Sequence, residues 1–415
     1  MPHYYIWTIG CQMNKAESER LESLFQHLGY QPTATAGEAD LIVLNSCVVR
    51  QHAEDRIVNK INALKKLKNS PQPPILAVTG CFVGSSTTRL KQRFPHVDHF
   101  FKPGEYPPWL VKDESFPMLP QQPSPSTYVP IIQGCDNFCS YCVVPYRRGR
   151  ERSRPVSEIV DEVKELAQHR VKEVVLLGQN VDSYGHDLPD KPDLAHLLYE
   201  LNDINGIARI RFLTNHPKDM ADRLIEAIAK LDKVCQQVNL PVQAGDDEIL
   251  KAMGRGYTIE SYRQLVVRIR SQVPAIALST DVIVGFPSES QEQFQATVDL
   301  LRELRFDSVH IAAYSPRLDT VAARNLEDNV PPSVKKERLD TIERLQEKIA
   351  TEINSQLLGK MVEVLVEGRR KGRWHGRNRS GKLVFFSEND ELLGKIVKVK
   401  IEKTSPWALQ GGIYR

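Results

Sequence analysis

"GCDNFCSYC", residues 134–142, sets Cys135, Cys139 and Cys142 into one short stretch, with three residues in the first gap and two in the second. Structural zinc closes with four Cys or His ligands, commonly as paired C-x2-C knuckles, and this stretch supplies one such pair with one outlier. A four-iron cubane takes one thiolate on each iron, so three cysteines leave one iron open to a further ligand. The run just before them, "VPIIQG" (129–134), reads as a strand, which puts the three thiolates in the loop at its carboxyl end.

From that strand to about residue 354, strand and helix alternate. "EVVLLGQN", "IARIRFLTN", "QVNLPVQ", "IALSTDVIVGF" and "SVHIAAYSP" are predicted strands, separated by helical patterns such as "SEIVDEVKELAQHR" and "IESYRQLVVRIRSQV". The order predicts an α/β fold with a full or partial parallel (β/α) barrel over residues 129–352, its site at the carboxyl ends of the strands. Arg147, Arg148, Arg150, Arg152 and Arg154 crowd behind the cysteine loop, a density that predicts a phosphate or carboxylate partner.

Residues 1–115 repeat the alternation in an open-sheet pattern. "YYIWTIG", "DLIVLNS" and "PILAVTG" are predicted strands, the second a continuous apolar run suited to a parallel sheet covered on both faces. Each is followed at once by a cysteine: Cys11, Cys47 and Cys81. One thiol at a strand end is ordinarily packing. Loops at the carboxyl ends of a parallel sheet share one crevice, however, so three cysteines at the same topological position point to a shared ligand. Cys235, entering a strand in "KVCQQVNLPV", reads as a buried packing thiol.

Proline-rich text over residues 116–128 predicts an inter-domain linker. Residues 353–415 change to short strands with Gly and Asn turns, "KMVEVLVEG", "RWHGRNRSGKLVFF" and "KIVKVKIEKTSP", the pattern of a small antiparallel β-barrel. Basic residues outnumber acidic ones about two to one there. Arg373, Trp374 and Arg377, with His375 and Phe385 nearby, suit a nucleic-acid backbone and its unstacked bases; a solvated, highly charged hairpin fits the charge alone equally well.

A chain of 415 residues is too long for one ordinary core, and no apolar run approaches the roughly 18 residues of a membrane helix. "MPHYYIWTIGCQMN" lacks the basic, apolar and small-residue segments of a signal peptide, so the expected compartment is the cytoplasm. There the seven cysteines serve as ligands, catalytic groups or buried thiols rather than disulfides. The net charge of +3, spread along the chain, decides nothing by itself.

The C-x3-C-x2-C spacing with an aromatic residue, Tyr141, before the last cysteine resembles the radical S-adenosylmethionine superfamily. "GCQMNKAESE", "LNSCVVR", "VTGC", "GCDNFCSYCVVPYRRGRERSRP", "LLGQNVDSYG", "HPKDM", "LPVQAG", "STDVIVGFP" and a C-terminal domain similar to TRAM extend the resemblance, across essentially the whole chain, to the methylthiotransferase family. The pattern departs from the family at Ser46, Val48, Asp182 and Asn215, where Thr, Ser, Asn and Ser are usual.

The resemblance implies a [4Fe-4S] cluster on Cys135, Cys139 and Cys142, its open iron chelated by S-adenosylmethionine, and a second [4Fe-4S] cluster on Cys11, Cys47 and Cys81. Tyr141, Gly178, Gln179, Asn180, Gln243, Ser279, Thr280 and Asp281 would contact S-adenosylmethionine. Arg147, Arg148, Arg150, Arg152, Arg154, Arg373, Trp374 and Arg377 would contact RNA. The implied reaction inserts a methylthio group at C2 of N6-isopentenyladenosine beside the tRNA anticodon. One S-adenosylmethionine methylates sulfur, and another yields a 5′-deoxyadenosyl radical after electron transfer from an external donor. No side chain is implied as catalytic, because an unactivated aromatic C–H bond offers no proton to a base and demands cofactor chemistry. Sibling branches act on N6-threonylcarbamoyladenosine of tRNA or on an aspartate of a ribosomal protein; "HPKDM" and "GQNVDSYG" resemble the isopentenyl branch better. A reading from another class is a non-catalytic RNA-binding protein held together by zinc or packed thiols. The expected partners are the anticodon stem-loop and the electron donor, with the chain working as a monomer. Deletion from about Ser355 is expected to weaken tRNA binding and spare both clusters.

Overall fold

The computed structural model describes residues 1–414 except 50, 85–86, 108–109, 111–118 and 120–122. β1 (His3–Ile9), β2 (Gln31–Pro32), β3 (Leu41–Ser46), β4 (Ile75–Gly80) and β5 (His99–Phe100) form a parallel sheet in the order β2-β1-β3-β4-β5. Central β3 is buried along its length, as its unbroken apolar run requires. Its side chains alternate between two layers: Leu41 and Val43 pack against Leu21, Leu24 and Phe25 of helix Gln12–His27. Ile42 and Leu44 pack against Ile57 and Ile61 of helix Gln51–Leu64. The register aligns Ile9, Ser46 and Gly80 across three strands, and the Cys47 amide donates to the Ile9 carbonyl at 2.8 Å. Cys11, Cys47 and Cys81 therefore leave the sheet side by side.

The second unit begins with β6 (Ser126–Pro130), so Ser126 to Tyr128 belong to its sheet rather than to the expected linker; residues 116–118 and 120–122 of that linker lie outside the described residues. "VPIIQG" is split. Its first part ends β6, while β7 (Ile132–Gln133) pairs antiparallel with β8 (Arg152–Ser153) and pinches the neck of the cysteine loop. The remaining strands are β9 (Glu173–Leu177), β10 (Arg209–Phe212), β11 (Gln237–Asn239), β12 (Ala277–Val284) and β13 (Ser308–Ala313). They make two parallel runs, β6-β9-β10 and β11-β12-β13, joined by the Ile210–Val234 bridge, and so a partial barrel open between β6 and β13. Met13 and Ala16 of the first helix pack on Val175 and Leu177 beside that opening.

β14 (Met361–Arg370), β15 (Arg373–Asn378), β16 (Leu383–Phe386), β17 (Ile396–Thr404) and β18 (Leu409–Ile413) close into a barrel in the order β14-β15-β16-β18-β17. It is antiparallel apart from the parallel β16–β18 pair, a correction with a simple cause: a closed ring of five strands cannot alternate direction all the way round. This barrel docks under the central one through cations that start β10. Arg209, with no exposed surface, donates to the Arg377 and Glu363 carbonyls and pairs with the Glu363 carboxylate at 2.8 Å. Arg211 donates to the Arg379 and Asn378 carbonyls and pairs with Glu173 at 3.0 Å. Returning the contact, Arg379 donates to the Asp232 and Val234 carbonyls. No helix among the described residues is long and apolar enough to cross a membrane.

Candidate active site

The aligned strand ends gather Cys11, Cys47 and Cys81 tightly enough that the Cys47 thiol hydrogen-bonds the Cys81 sulfur. That bond and the Arg148 cation pull Cys81 down to about 6, while the same bond pushes Cys47 upward. Arg148 Nε donates to Cys81 Sγ at 3.1 Å, and its Nη1 meets Glu17 Oε1 at 2.5 Å. Beneath the sulfurs, buried Asn14 and Asn45 bind each other at 2.9 Å and fix the turn that carries Cys11.

Arg148 belongs to the other cysteine loop, in the short helix Val144–Arg148 that follows Cys142. Within that loop Cys139 is buried and accepts from Arg255 Nη1 at 3.3 Å. Burial pushes Cys135 up to about 11 and Cys142 up to about 12. Left alone these are neutral thiols, and a bound metal is what deprotonates them. Phe138 holds the loop's turn at φ 46°, and Lys218 donates to Asn137 at 2.7 Å. Among the described residues no three His, Cys, Asp or Glu side chains are gathered closely enough to hold a single metal ion, a condition that thiols at separate corners of a cubane need not meet. Two sets of three thiols, each with a guanidinium donating to one sulfur, fit a pair of iron–sulfur clusters, since such clusters take cysteine thiolates and respond to hydrogen bonds on sulfur.

Around the loop, strand ends carry polar atoms without partners. Asn180 Oδ1, Asn215 Oδ1, Gln243 Oε1 and His216 Nε2 are buried and have no hydrogen-bond partner among the described residues, although buried polar groups are ordinarily satisfied. Asn180 is oriented by donating to Asp219 at 2.7 Å and Asn215 by donating to Asp182. His216 Nδ1 accepts from the Lys218 amide at 3.2 Å, which leaves Nε2 as the protonated nitrogen; burial, with Arg255 and Lys218 nearby, pushes the imidazole down to about 2 and keeps it neutral. Thr214 and Gln243 both sit at φ 73°, a strained conformation of the kind that collects at ligand sites. Three acceptors and one donor fit a zwitterionic nucleoside such as S-adenosylmethionine.

The other expected cofactor contacts divide. Gln179 accepts from the Gly134 amide at 2.6 Å and so braces the cysteine loop, and Gly178 lies against Ile132 too closely for any side chain. Tyr141 packs edge-on to Phe286. Thr280 is fully buried, donating to the Leu240 carbonyl and accepting from the Val242 amide, which makes it a strut rather than a contact. Ser279 and Asp281 instead line a cavity of about 860 Å³ that runs through the central barrel and opens between β6, β13, the first helix and the C-terminal barrel. That volume lies in the range of small-molecule sites.

The arginine run is not one anion site. Arg148 is buried between Cys81 and Glu17, Arg147 pairs with Asp319 at 3.6 Å, Arg150 with Asp136 at 2.6 Å, and Arg154 with Glu162 at 2.6 Å. Exposed Arg152 makes no ion pair among the described residues. In the C-terminal barrel Trp374 is only 2% exposed, with Nε1 donating to the Glu388 carbonyl, so its ring belongs to the core and cannot stack a base. Arg373 is exposed over Phe385, and Arg377 faces the cavity. Cys235 is buried beside Arg211 and Glu173, as a packing thiol should be. Arg255, Glu17 and His216 were missed as site residues. His216 carried a signal, following a barrel strand in "HPKDM", and Glu17 stands six residues after Cys11 in "GCQMNKAESE", whereas Arg255 is far in sequence from Cys139, the sulfur it serves.

Comparison with known proteins gives a consistent set of likenesses. Residues 129–301 match the Radical SAM superfamily, residues 3–102 an uncharacterised protein family, UPF0004, and residues 355–413 the TRAM domain. A tRNA-2-methylthio-N(6)-dimethylallyladenosine synthase of Dehalococcoides mccartyi is 53% identical over 100% of this chain and 99% of its own. One of the same name from Chloroflexus aurantiacus is 49% identical over 98% of this chain and 91% of its own. In fold alone, the radical S-adenosylmethionine methyltransferase TsrM from Kitasatospora setae, solved with cobalamin and a [4Fe-4S] cluster, matches with a TM-score of 0.55 at 14% identity, covering 90% of this chain and 81% of that one.

Proposed function

The chain belongs to the family of tRNA-2-methylthio-N(6)-dimethylallyladenosine synthases, and from that premise we propose how its residues divide the work. The enzyme is a radical S-adenosylmethionine methylthiotransferase that acts on N6-isopentenyladenosine in tRNA. Cys135, Cys139 and Cys142 would hold one cluster and Cys11, Cys47 and Cys81 a second. When bound, the clusters and S-adenosylmethionine supply the radical and sulfur chemistry that no side chain could.

The chain's own residues bind, orient and balance charge. Asn180, Asn215 and Gln243 offer acceptors to the amino group and hydroxyls of S-adenosylmethionine, and neutral His216 offers a donor through Nε2. Arg148 and Arg255 set a positive charge against each cluster, and hydrogen bonds to sulfur tune cluster potentials. The cavity between the barrels receives the adenosine, with Asp281 and Asn239 joined at 2.9 Å on its wall. The partners are the anticodon stem-loop and an external one-electron donor, the chain working as a cytoplasmic monomer.

One observation carries the two-cluster reading: Arg148, rooted in the loop of Cys135, Cys139 and Cys142, donates to Cys81 in the other set. Arg148 thus ties the loop of one set to the strand end that carries the other. Anaerobically reconstituted protein should hold about eight irons, falling to about four when Cys135, Cys139 and Cys142 are replaced by Ala or when Cys11, Cys47 and Cys81 are. Either triple variant should lose methylthiolated nucleoside in tRNA digests. A wild type with about four irons, or one whose iron survives the second triple variant, would overturn the assignment of Cys11, Cys47 and Cys81. A mass increase on a ribosomal protein, with tRNA unmodified, would move the substrate to the sibling branch.

A further inference from the structure

We propose that Trp407 is a stacking platform for an unpaired RNA base neighbouring the nucleoside that enters the cavity. The inference rests on RNA being the substrate and adds a recognition residue. The C-terminal barrel buries Trp374 and Phe386, each 2% exposed, yet leaves Trp407 at 63%, as it leaves Tyr414 near the end of β18. A bare indole on a loose loop would be unremarked, because single exposed apolar residues are common. This loop is not loose. The Ser405 amide donates to the Ala408 carbonyl at 2.9 Å, the Ala408 amide returns a bond to Ser405 Oγ at 3.0 Å, and Ser405 Oγ donates to the Ala408 carbonyl at 2.8 Å.

A second anchor comes from the other barrel. Asn354, buried near the end of helix Pro332–Ser355, donates to the Ser405 carbonyl at 2.8 Å and to the Pro406 carbonyl at 3.1 Å. The backbone that presents Trp407 is therefore fixed to the central unit as well as to its own hairpin. Trp407 lines the 860 Å³ cavity together with His310, with Arg377, which pairs with Glu367 at 3.7 Å, and with Lys382, which pairs with Asp307 at 2.6 Å. A rigid, exposed aromatic face at the rim of a cavity large enough for a nucleoside supplies the stacking surface of a single-strand site. Stacking suits an RNA loop better than a folded protein surface, since unstacked bases offer flat faces.

The test uses full-length reconstituted protein and a labelled anticodon stem-loop carrying N6-isopentenyladenosine, with Kd measured against salt for wild type, W407A and W407F. Loss of stacking should weaken W407A roughly tenfold to a hundredfold, and W407F should recover most of the loss. The slope of log K against log salt should stay at the wild-type value, because no phosphate contact is removed. Iron content and the thermal midpoint serve as the folding control. W407A binding within twofold of wild type would overturn the inference, as would a loss that W407F does not recover, a loss accompanied by lower iron content, or an effect confined to a protein partner. Wild type that leaves the stem-loop unmodified would instead overturn the functional reading beneath it.

Discussion

Arg148 is read in sequence as one of five crowded cations and in space as the link between two sets of sulfurs. Its guanidinium is buried against Cys81 and Glu17, so removing it leaves the half-buried Glu17 carboxylate without its partner, a change that costs about 3 kcal/mol at most. R148Q should lower unfolding free energy by that order in denaturant titrations. It should also reduce the iron held by Cys11, Cys47 and Cys81, and the R148Q, E17Q double variant should be less destabilised than the sum of the single ones. Additive losses would show that the pair does not couple the units. The gathering of Cys11, Cys47 and Cys81 could be read because strand-end position is a local feature. The direction of each arginine could not, because a loop pinched by β7 and β8 sends successive side chains to different faces. Trp374 reads in sequence as an RNA contact for the same kind of reason: it stands in basic text, and only closure of the five-strand barrel puts its ring inside.

At the scale of elements, a recurring Gly-Cys step shapes the site. Gly80 and Gly134 stand at φ 86° and 84°, and a Cβ on them would lie 2.4 Å from the Ser46 carbonyl oxygen and 2.1 Å from the Arg150 carbonyl oxygen. The backbone must turn left-handed and pass close to its neighbour just as it delivers a ligand, which no residue with a side chain can do without strain of about 1–3 kcal/mol. G80A should therefore halve iron content by emptying only the Cys81 set, and G134A should do the same at the Cys135 set, each read by metal analysis and by the spectrum of the surviving cluster. Equal loss of both clusters from either variant would mean the two sites fold as one. Long apolar strands such as β3 were plain in the sequence. β2, β5, β7 and β18 were not, since two-residue edges carry no periodicity and Gly-rich β18, "LQGGI", is held by its neighbours rather than by propensity.

For the whole molecule, the three-part order of open sheet, partial barrel and small closed barrel followed from alternation and composition, but independence of the last part did not. Deletion from Ser355 was expected to spare the clusters. The structure instead predicts that it uncovers Arg209 and Arg211 together with Glu173, charges now buried against the C-terminal barrel. The truncated chain should unfold at lower denaturant than the full chain and lose iron; unchanged iron and stability would show that the clamp is dispensable. Because those arginines grip four main-chain carbonyls as well as the Glu363 carboxylate, the lower barrel is no lure on a tether, sampling RNA and handing it on. On the proposed function, a nucleotide held by that barrel would stand at one set span from the sulfurs, and the enzyme would measure its target along the strand from that fixed grip, as a ruler does.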